Sequence, residues 1–293
     1  MKKKISGLLA IMFVLSFVFS FAACGKKDDV QTTAPGETTT MADTTAPEVT
    51  TAEGETTTIE ATTAEGDTTA VGETTTAGTL KAPSTAAEIV AYYNAAANKA
   101  KADKPGYTLT TTNVIGEITS SYGLIQSLAG RVVPMFSTDP VTTTVAKGDS
   151  SSFPVKDQSY GGKVEVSSLK DSGGAVIADK GTFYEITLNF KDEKLNDLPT
   201  DVTKVRHGQA FNLLTKQLVD DEIQKFSWIV KIVKFSPNYT GCYVKCKIDK
   251  ATGNLLSGTY YCVNKSDVEA KVGFTTFDAN VFFGNKEEYK LNY

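Results

Sequence analysis

Histidine is almost missing from this chain: His207 is the only one in 293 residues. That excludes a metal centre built on two histidines and leaves little room for a histidine relay. Tryptophan is equally sparse, with Trp228 alone. No basic excess exists; the net charge is −4, with lysine and glutamate interspersed, so the footprint of a nucleic-acid binder is missing. The usual enzyme motifs are absent too. No G-x-S-x-G, H-E-x-x-H, G-x-x-x-x-G-K-[ST] or strand-borne G-x-G-x-x-G occurs. Asp192-Glu193 and Asp220-Asp221-Glu222 would be the paired carboxylates of a glycosidase, but they read as solvated surface turns. His207 reads as a surface or capping residue near a helix start. These absences point to a non-enzymatic protein without cofactor or metal.

What is present begins at the N-terminus. Met1-Lys2-Lys3-Lys4 is basic, Ile5 to Ala23 is nearly unbroken apolar sequence, and small residues precede Cys24. This is the layout of a secretory signal, and it is too short for a confident membrane span. Phe21-Ala22-Ala23-Cys24 resembles the lipobox of bacterial lipoproteins, with phenylalanine where that family usually has leucine. The resemblance implies cleavage after Ala23, lipidation of Cys24 and a chain held on the outer side of a Gram-positive-type cell membrane. Each buried methylene of such an anchor contributes about 0.8 kcal/mol.

Residues 24–82 form a linker rich in threonine, glutamate and alanine, with loose recurrences such as Glu53-Gly54-Glu55-Thr56-Thr57-Thr58. Aromatic residues are lacking in it, and its apolar mass cannot offset a backbone ordering cost of about 1–2 kcal/mol per residue, so disorder is expected. Threonine-rich stalks of this kind can carry O-linked sugar.

Residues 83–293 read as one α+β domain. Thr85 and Glu88 form a capping box for a helix carrying Ile89, Tyr92 or Tyr93, Ala96 and Ala100, stopped by Pro105-Gly106. A strand over Tyr107–Thr119 and a helix after Ser120-Ser121 follow. Strands are expected at Val141–Thr144, Lys163–Val166 and Tyr184–Phe190, then a third helix from about Asp201 to Gln224 with Phe211, Leu214 and Leu218 inward. Trp228–Phe235 reads as a buried strand. The closing part reads as a four-stranded meander. Cys242, Val244, Cys246 and Ile248 share one face, and the loop around Gly253 turns the chain back. Matching faces then sets Ile248 opposite Leu256, Val244 opposite Tyr260, Cys242 opposite Cys262 and Tyr243 opposite Tyr261. Strands through Phe274 and from Phe277 to Phe283 follow, and Asn285–Glu288 is a turn. The expected architecture is a curved antiparallel sheet, a half barrel, packed over about three helices.

The segment from Val233 through Ile248-Asp249, Thr252–Leu255 and Tyr260-Tyr261 to Phe277 resembles a loosely defined set of uncharacterised Gram-positive surface lipoproteins. The whole layout looks like lipoprotein-carrier and mycobacterial lipid-transport lipoproteins, which implies a lipid or other apolar ligand held between sheet and helices. It is also similar to bactericidal/permeability-increasing-type domains. The alternative is a surface interaction or adhesion module binding protein or glycan, with the outward pair Tyr243 and Tyr261 as its contact.

Cys242, Cys246 and Cys262 fall on one inner face. A Cys242–Cys262 cross-strand disulfide and reduced buried thiols both remain open. A metal site and a catalytic thiol are disfavoured, since metal-ligand loops and an activating base are missing nearby. Replacing Cys24 with serine should remove the acyl mass and move the chain from membrane to soluble fractions, as read by intact-mass spectrometry after fractionation.

Overall fold

A computed structural model describes residues 82–120, 123, 138–149, 153–224, 230–272 and 274–293. The signal peptide, Cys24 and the linker through residue 81 lie outside the described residues. So do Trp228 and nearly all of the helix expected after Ser120-Ser121. The described residues belong to one compact unit, and no helix among them is long and apolar enough to cross a membrane.

Helix α1 (Ala86–Asp103) starts where the capping box places it. Glu88 N–H donates to Thr85 Oγ1 at 3.2 Å, while Glu88 Oε2 accepts from the Ser84 and Thr85 N–H groups at 2.8 and 2.9 Å. Two donors that a helix start leaves free are thereby satisfied. Ile89, Val90, Tyr93, Ala96, Ala97 and Ala100 form its buried stripe. The helix stops at Asp103, with Lys104 left-handed before Pro105.

The strands are β1 (Gly106–Ser120), β2 (Val141–Val145), β3 (Ala175–Asp179), β4 (Phe183–Asn189) and β5 (Glu193–Lys194). Then come helix α2 (Lys216–Gln224) and strands β6 (Val230–Ser236), β7 (Asn238–Tyr239), β8 (Tyr243–Asp249), β9 (Leu255–Val272) and β10 (Thr275–Asn292). All ladders are antiparallel. The main order is β2-β1-β10-β9-β8-β4-β3 in one open sheet, with β6 and β7 also paired to β9 and β5 paired to β7. This is a sheet-dominated α+β fold with two α-helices among the described residues.

Its inner face carries two apolar clusters. The larger joins α1 to Ile186, Leu188, Val244, Ile248, Leu255 and Tyr260. Tyr107, Phe153, Tyr260 and Tyr289 meet in it edge-on or tilted, with centroids 4.6–6.4 Å apart. The smaller gathers Ile118, Leu198, Val219, Phe235, Val281 and Phe283.

Several expectations need correction. The closing meander has three strands, because β9 and β10 each run 18 residues. Asn285–Glu288 is strand, not turn: β10 lies between β1 and β9, so its backbone groups are paired on both sides and polar side chains do not interrupt it. Phe274 stands at the hairpin tip at 103% exposure rather than on the inner face. Trp228–Phe235 yields an edge strand, β6, with Val233 half exposed and a bulge between Ile232 and Lys234.

The third helix is confined to Lys216–Gln224. Upstream, 3-10 turns at Val202–Lys204 and His207–Gln209 and an extended stretch let both His207 and Phe211 drop into the core. The inward residue of α2 is Val219, and Leu218 is exposed. Lys163–Val166 is not a strand of the sheet. Amides from α1 take its backbone instead: Asn94 bonds both N–H and C=O of Val164 at 3.0 and 2.9 Å, and Asn98 accepts from Gly161 N–H at 2.7 Å. A Cβ on Gly161 would sit 2.0 Å from the Ala97 carbonyl oxygen, so glycine allows this approach. Strand β3 lacks a clear alternation and was not expected.

The hairpin register holds at Tyr243–Tyr261 and Val244–Tyr260 and shifts between Lys247 and Ile248, setting Ile248 opposite Leu255. The bulge turns Leu255 inward in place of Leu256. Leu255→Ala should therefore cost about 2–5 kcal/mol in urea unfolding, and Leu256→Ala less than about 1 kcal/mol.

Candidate functional site

The reactive side chains converge where β5, the His207 turn and the start of β8 meet. Glu193, in the two-residue strand β5, accepts three hydrogen bonds. Its Oε1 takes Arg206 N–H at 3.1 Å, and its Oε2 takes His207 N–H at 3.1 Å and His207 Nδ1 at 2.8 Å. The carboxylate thus fastens both the backbone entering the turn and the ring that follows. Tyr239 stacks on the imidazole at 4.9 Å, and Phe190 and Phe211 lie 5.5 and 6.0 Å from it. His207 is completely buried, not the surface or capping residue expected from the sequence. Of Asp192-Glu193, Asp192 is exposed as expected, while Glu193 is only partly exposed and sits in β5. Asp192 holds the Thr240 hydroxyl at 3.0 Å and Gly241 N–H at 3.3 Å, just ahead of Cys242.

With Nδ1 given to Glu193, Nε2 is the nitrogen left over, and it has no hydrogen-bond partner among the described residues. The imidazole and the Cys242 thiol are near enough for each to shift the other's pKa. One step beyond the Tyr243–Tyr261 pair, Cys242 stands beside Cys262, sulfurs 3.9 Å apart and unbonded. Cys242 Sγ is also 3.4 Å from the Val263 carbonyl oxygen, a contact that favours the thiol.

Electrostatics oppose that contact. The hydrogen bond with Cys262 and the influence of His207 outweigh burial and hold the Cys242 thiol well below its ordinary range. Cys262 is pushed well up by that same hydrogen bond and by burial. Burial alone would lower His207; its contacts with Cys242 and Glu193 outweigh it, and the net direction is upward. Glu193 is raised by burial but lowered further by the His207 and Arg206 donors, so it falls below an ordinary carboxylate. Cys246 has no such neighbour, and burial pushes it to about 12.

A thiol, a base and a carboxylate that orients the base are thus aligned. The sequence reading missed this base because His207 is brought to Cys242 only by the turn. At 1% exposure, however, Cys242 admits nothing large while the sheet stays closed. The described residues hold no group of three or more His, Cys, Asp or Glu arranged for a metal.

Tyr243 and Tyr261 are together on the outer face, as the register places them, stacked at 5.1 Å and 17°. Asn189 on β4 flanks Tyr243, and Lys286 on β10 flanks Tyr261. An open groove of about 520 Å³ is lined by Lys170, Asp171, Ser172, Lys191 and Asp192. On the inner face Glu287 sits opposite Tyr260; burial raises its pKa against the Tyr289 hydroxyl donating at 2.9 Å. No family model matches the chain, and no curated protein or solved structure is significantly similar to it.

The Glu193–His207 pair has a defined pH signature. Glu193, lowered on folding, adds stability above its unfolded value and loses it as pH falls through the folded one. His207, raised on folding, adds stability below 6.5 and loses it as pH rises through its folded value. As the only histidine, it gives one imidazole resonance. That resonance should titrate above 6.5, and Glu193→Gln should move the inflection downward, as measured by NMR.

Proposed function

We propose that the protein is a lipid-anchored, extracellular, non-enzymatic binding module. Cys24 would hold it on a Gram-positive-type cell membrane, residues 24–82 would act as a disordered tether, and residues 83–293 would be the binding domain. The finer architecture belongs to the same reading: a curved half barrel whose inner face is covered by about three helices and whose outer face is left for a partner.

One observation carries the choice of ligand face. Between α1 and the sheet the space is filled by the protein's own side chains, with Tyr93, Phe153, Phe190, Ile186, Leu188, Ile248 and Leu255 all fully buried. An apolar ligand there would have to displace them. The outer face instead offers the Tyr243–Tyr261 stack, half exposed, with the Asn189 amide on one side and the Lys286 ammonium on the other. Aromatic bodies with polar tips beside hydrogen-bonding groups suit a glycan or protein surface.

A lipid or other apolar ligand is the second reading, favoured by the smaller cluster. Ile115, Leu214, Ile232, Val268 and Phe277 pack around it only partly buried, so apolar area remains there to be covered.

The test is glycan and protein array binding of the full mature chain, with native mass spectrometry of the same preparation. Tyr243→Ala and Tyr261→Ala should each weaken outer-face binding about tenfold or more while costing the hairpin only roughly 0.2–1 kcal/mol. Co-purified lipid with unchanged binding in both variants would overturn the outer-face reading in favour of the second.

A further inference from the structure

We propose that Cys242 and Cys262, backed by His207 and Glu193, form a buried redox site that a small peroxide converts from two thiols to a cross-strand disulfide. The inference stands apart from the outer-face reading and needs neither the anchor nor a ligand.

Four features support it. The two sulfurs are 3.9 Å apart, with Cys242 immediately ahead of β8 and Cys262 within β9. A disulfide needs Cβ atoms about 3.5–4.5 Å apart, so side-chain rotation and a small approach of the chain at Cys242 to β9 suffice. Nε2 of His207, fully buried and without a hydrogen-bond partner among the described residues, is the acceptor for the Cys242 proton. Glu193 holds the other nitrogen at 2.8 Å and stabilises the imidazolium that forms. Finally, Cys242 and Cys262 are 1% and 8% exposed, which selects the oxidant: a small peroxide fits where a bulky disulfide does not.

The chemistry closes. His207 takes the Cys242 proton. The Cys242 thiolate attacks one oxygen of hydrogen peroxide, the O–O bond breaks, and the sulfur becomes a sulfenic acid. The departing hydroxide receives the proton held by His207 and leaves as water. Cys262 sulfur then attacks the Cys242 sulfur, the S–O bond breaks, and the hydroxyl leaves as a second water with the Cys262 proton. Two thiols and one peroxide give one disulfide and two waters; the sulfurs are oxidised and the peroxide oxygens reduced.

Other titratable groups act on this pair from the remaining elements: Tyr239 on β7, Glu287 on β10 and, from the outer face of β9, Tyr261. The phenols stay neutral across the working range, their pKa values raised mainly by burial. Glu287 acts on Cys262 and favours its thiol form. The site is therefore asymmetric: Cys242 is the attacking sulfur and Cys262 the resolving one. Cys246, four residues on in β8 but pushed to about 12, is an internal control.

The experiment treats the full chain, reduced and in detergent, with hydrogen peroxide between pH 6 and pH 8. Each cysteine is followed by differential alkylation and peptide mapping. The expected product links Cys242 to Cys262, is lighter by two hydrogens, and leaves Cys246 free. Its rate should change less than about twofold across that range, whereas an ordinary thiol slows about tenfold per pH unit below its pKa. Cys262→Ser should halt the reaction at a Cys242 sulfenic acid that dimedone captures. His207→Gln should restore the steep pH profile if the variant folds; the wild-type profile and the Cys262→Ser adduct decide the matter if it does not. A bridge involving Cys246, a tenfold-per-unit profile in the wild type, or no dimedone adduct in Cys262→Ser would each overturn the proposal.

Discussion

The long pairing of β9 with β10 is the constraint on which the rest of this structure depends. It runs from Thr275–Val272 to Lys290–Ser257 without a register shift. β1 lies along the far side of β10, and β8, β6 and β7 divide the far side of β9 between them. A slip of one residue would turn one strand's inner set outward relative to the other's, either Tyr260 and Cys262 of β9 or Val281 and Tyr289 of β10. The penalty for mispairing is thus spread over the domain, which is what gives a sheet of long strands a single register.

Polar groups inside such a sheet must each find a partner, and here the partners come from outside the ladders. Asn94 and Asn98 of α1 bond backbone groups of Gly161, Gly162 and Val164. Glu193 satisfies two backbone donors and one ring nitrogen around His207. A buried carboxylate is costly alone, and it persists because three donors converge on it. Removing the carboxylate would leave those donors buried and unpaired, so the unit is retained or lost as a whole. Its remaining nitrogen, Nε2, has no hydrogen-bond partner among the described residues. The proposed thiol chemistry would be a consequence of how the turn is held in place, not an addition to a finished fold.

The proposed binding and the proposed redox chemistry would use opposite sides of one hairpin. Tyr243 and Tyr261 point outward, and their chain neighbours Cys242 and Cys262 point inward. A disulfide between the cysteines would fix the spacing of the very strands that carry the tyrosines. The two proposals therefore share a mechanical link while remaining separately testable.

How much of this was legible depended on the range of the interactions. Local patterns were sufficient for the α1 capping box, the alternation in β4 and β8, the glycine turn at Gly253 and the face shared by the three inner cysteines, because each is set by neighbours a few residues away. The same rules failed at Leu255, where a bulge overrode face parity, and at Asn285–Glu288, where pairing on both sides held polar residues in a strand. They failed again at residues 202–215, where burial of His207 and Phe211 outweighed helix continuity. His207 as a base was beyond sequence reasoning altogether: Glu193, His207 and Cys242 share no local pattern and meet only through β5, the turn and β8. Sequence alone determined which faces of each element are apolar, since alternation is a one-dimensional property. Tertiary structure decided which polar residues meet in the interior, because there the cost of an unpaired buried group, rather than local propensity, chooses the partner.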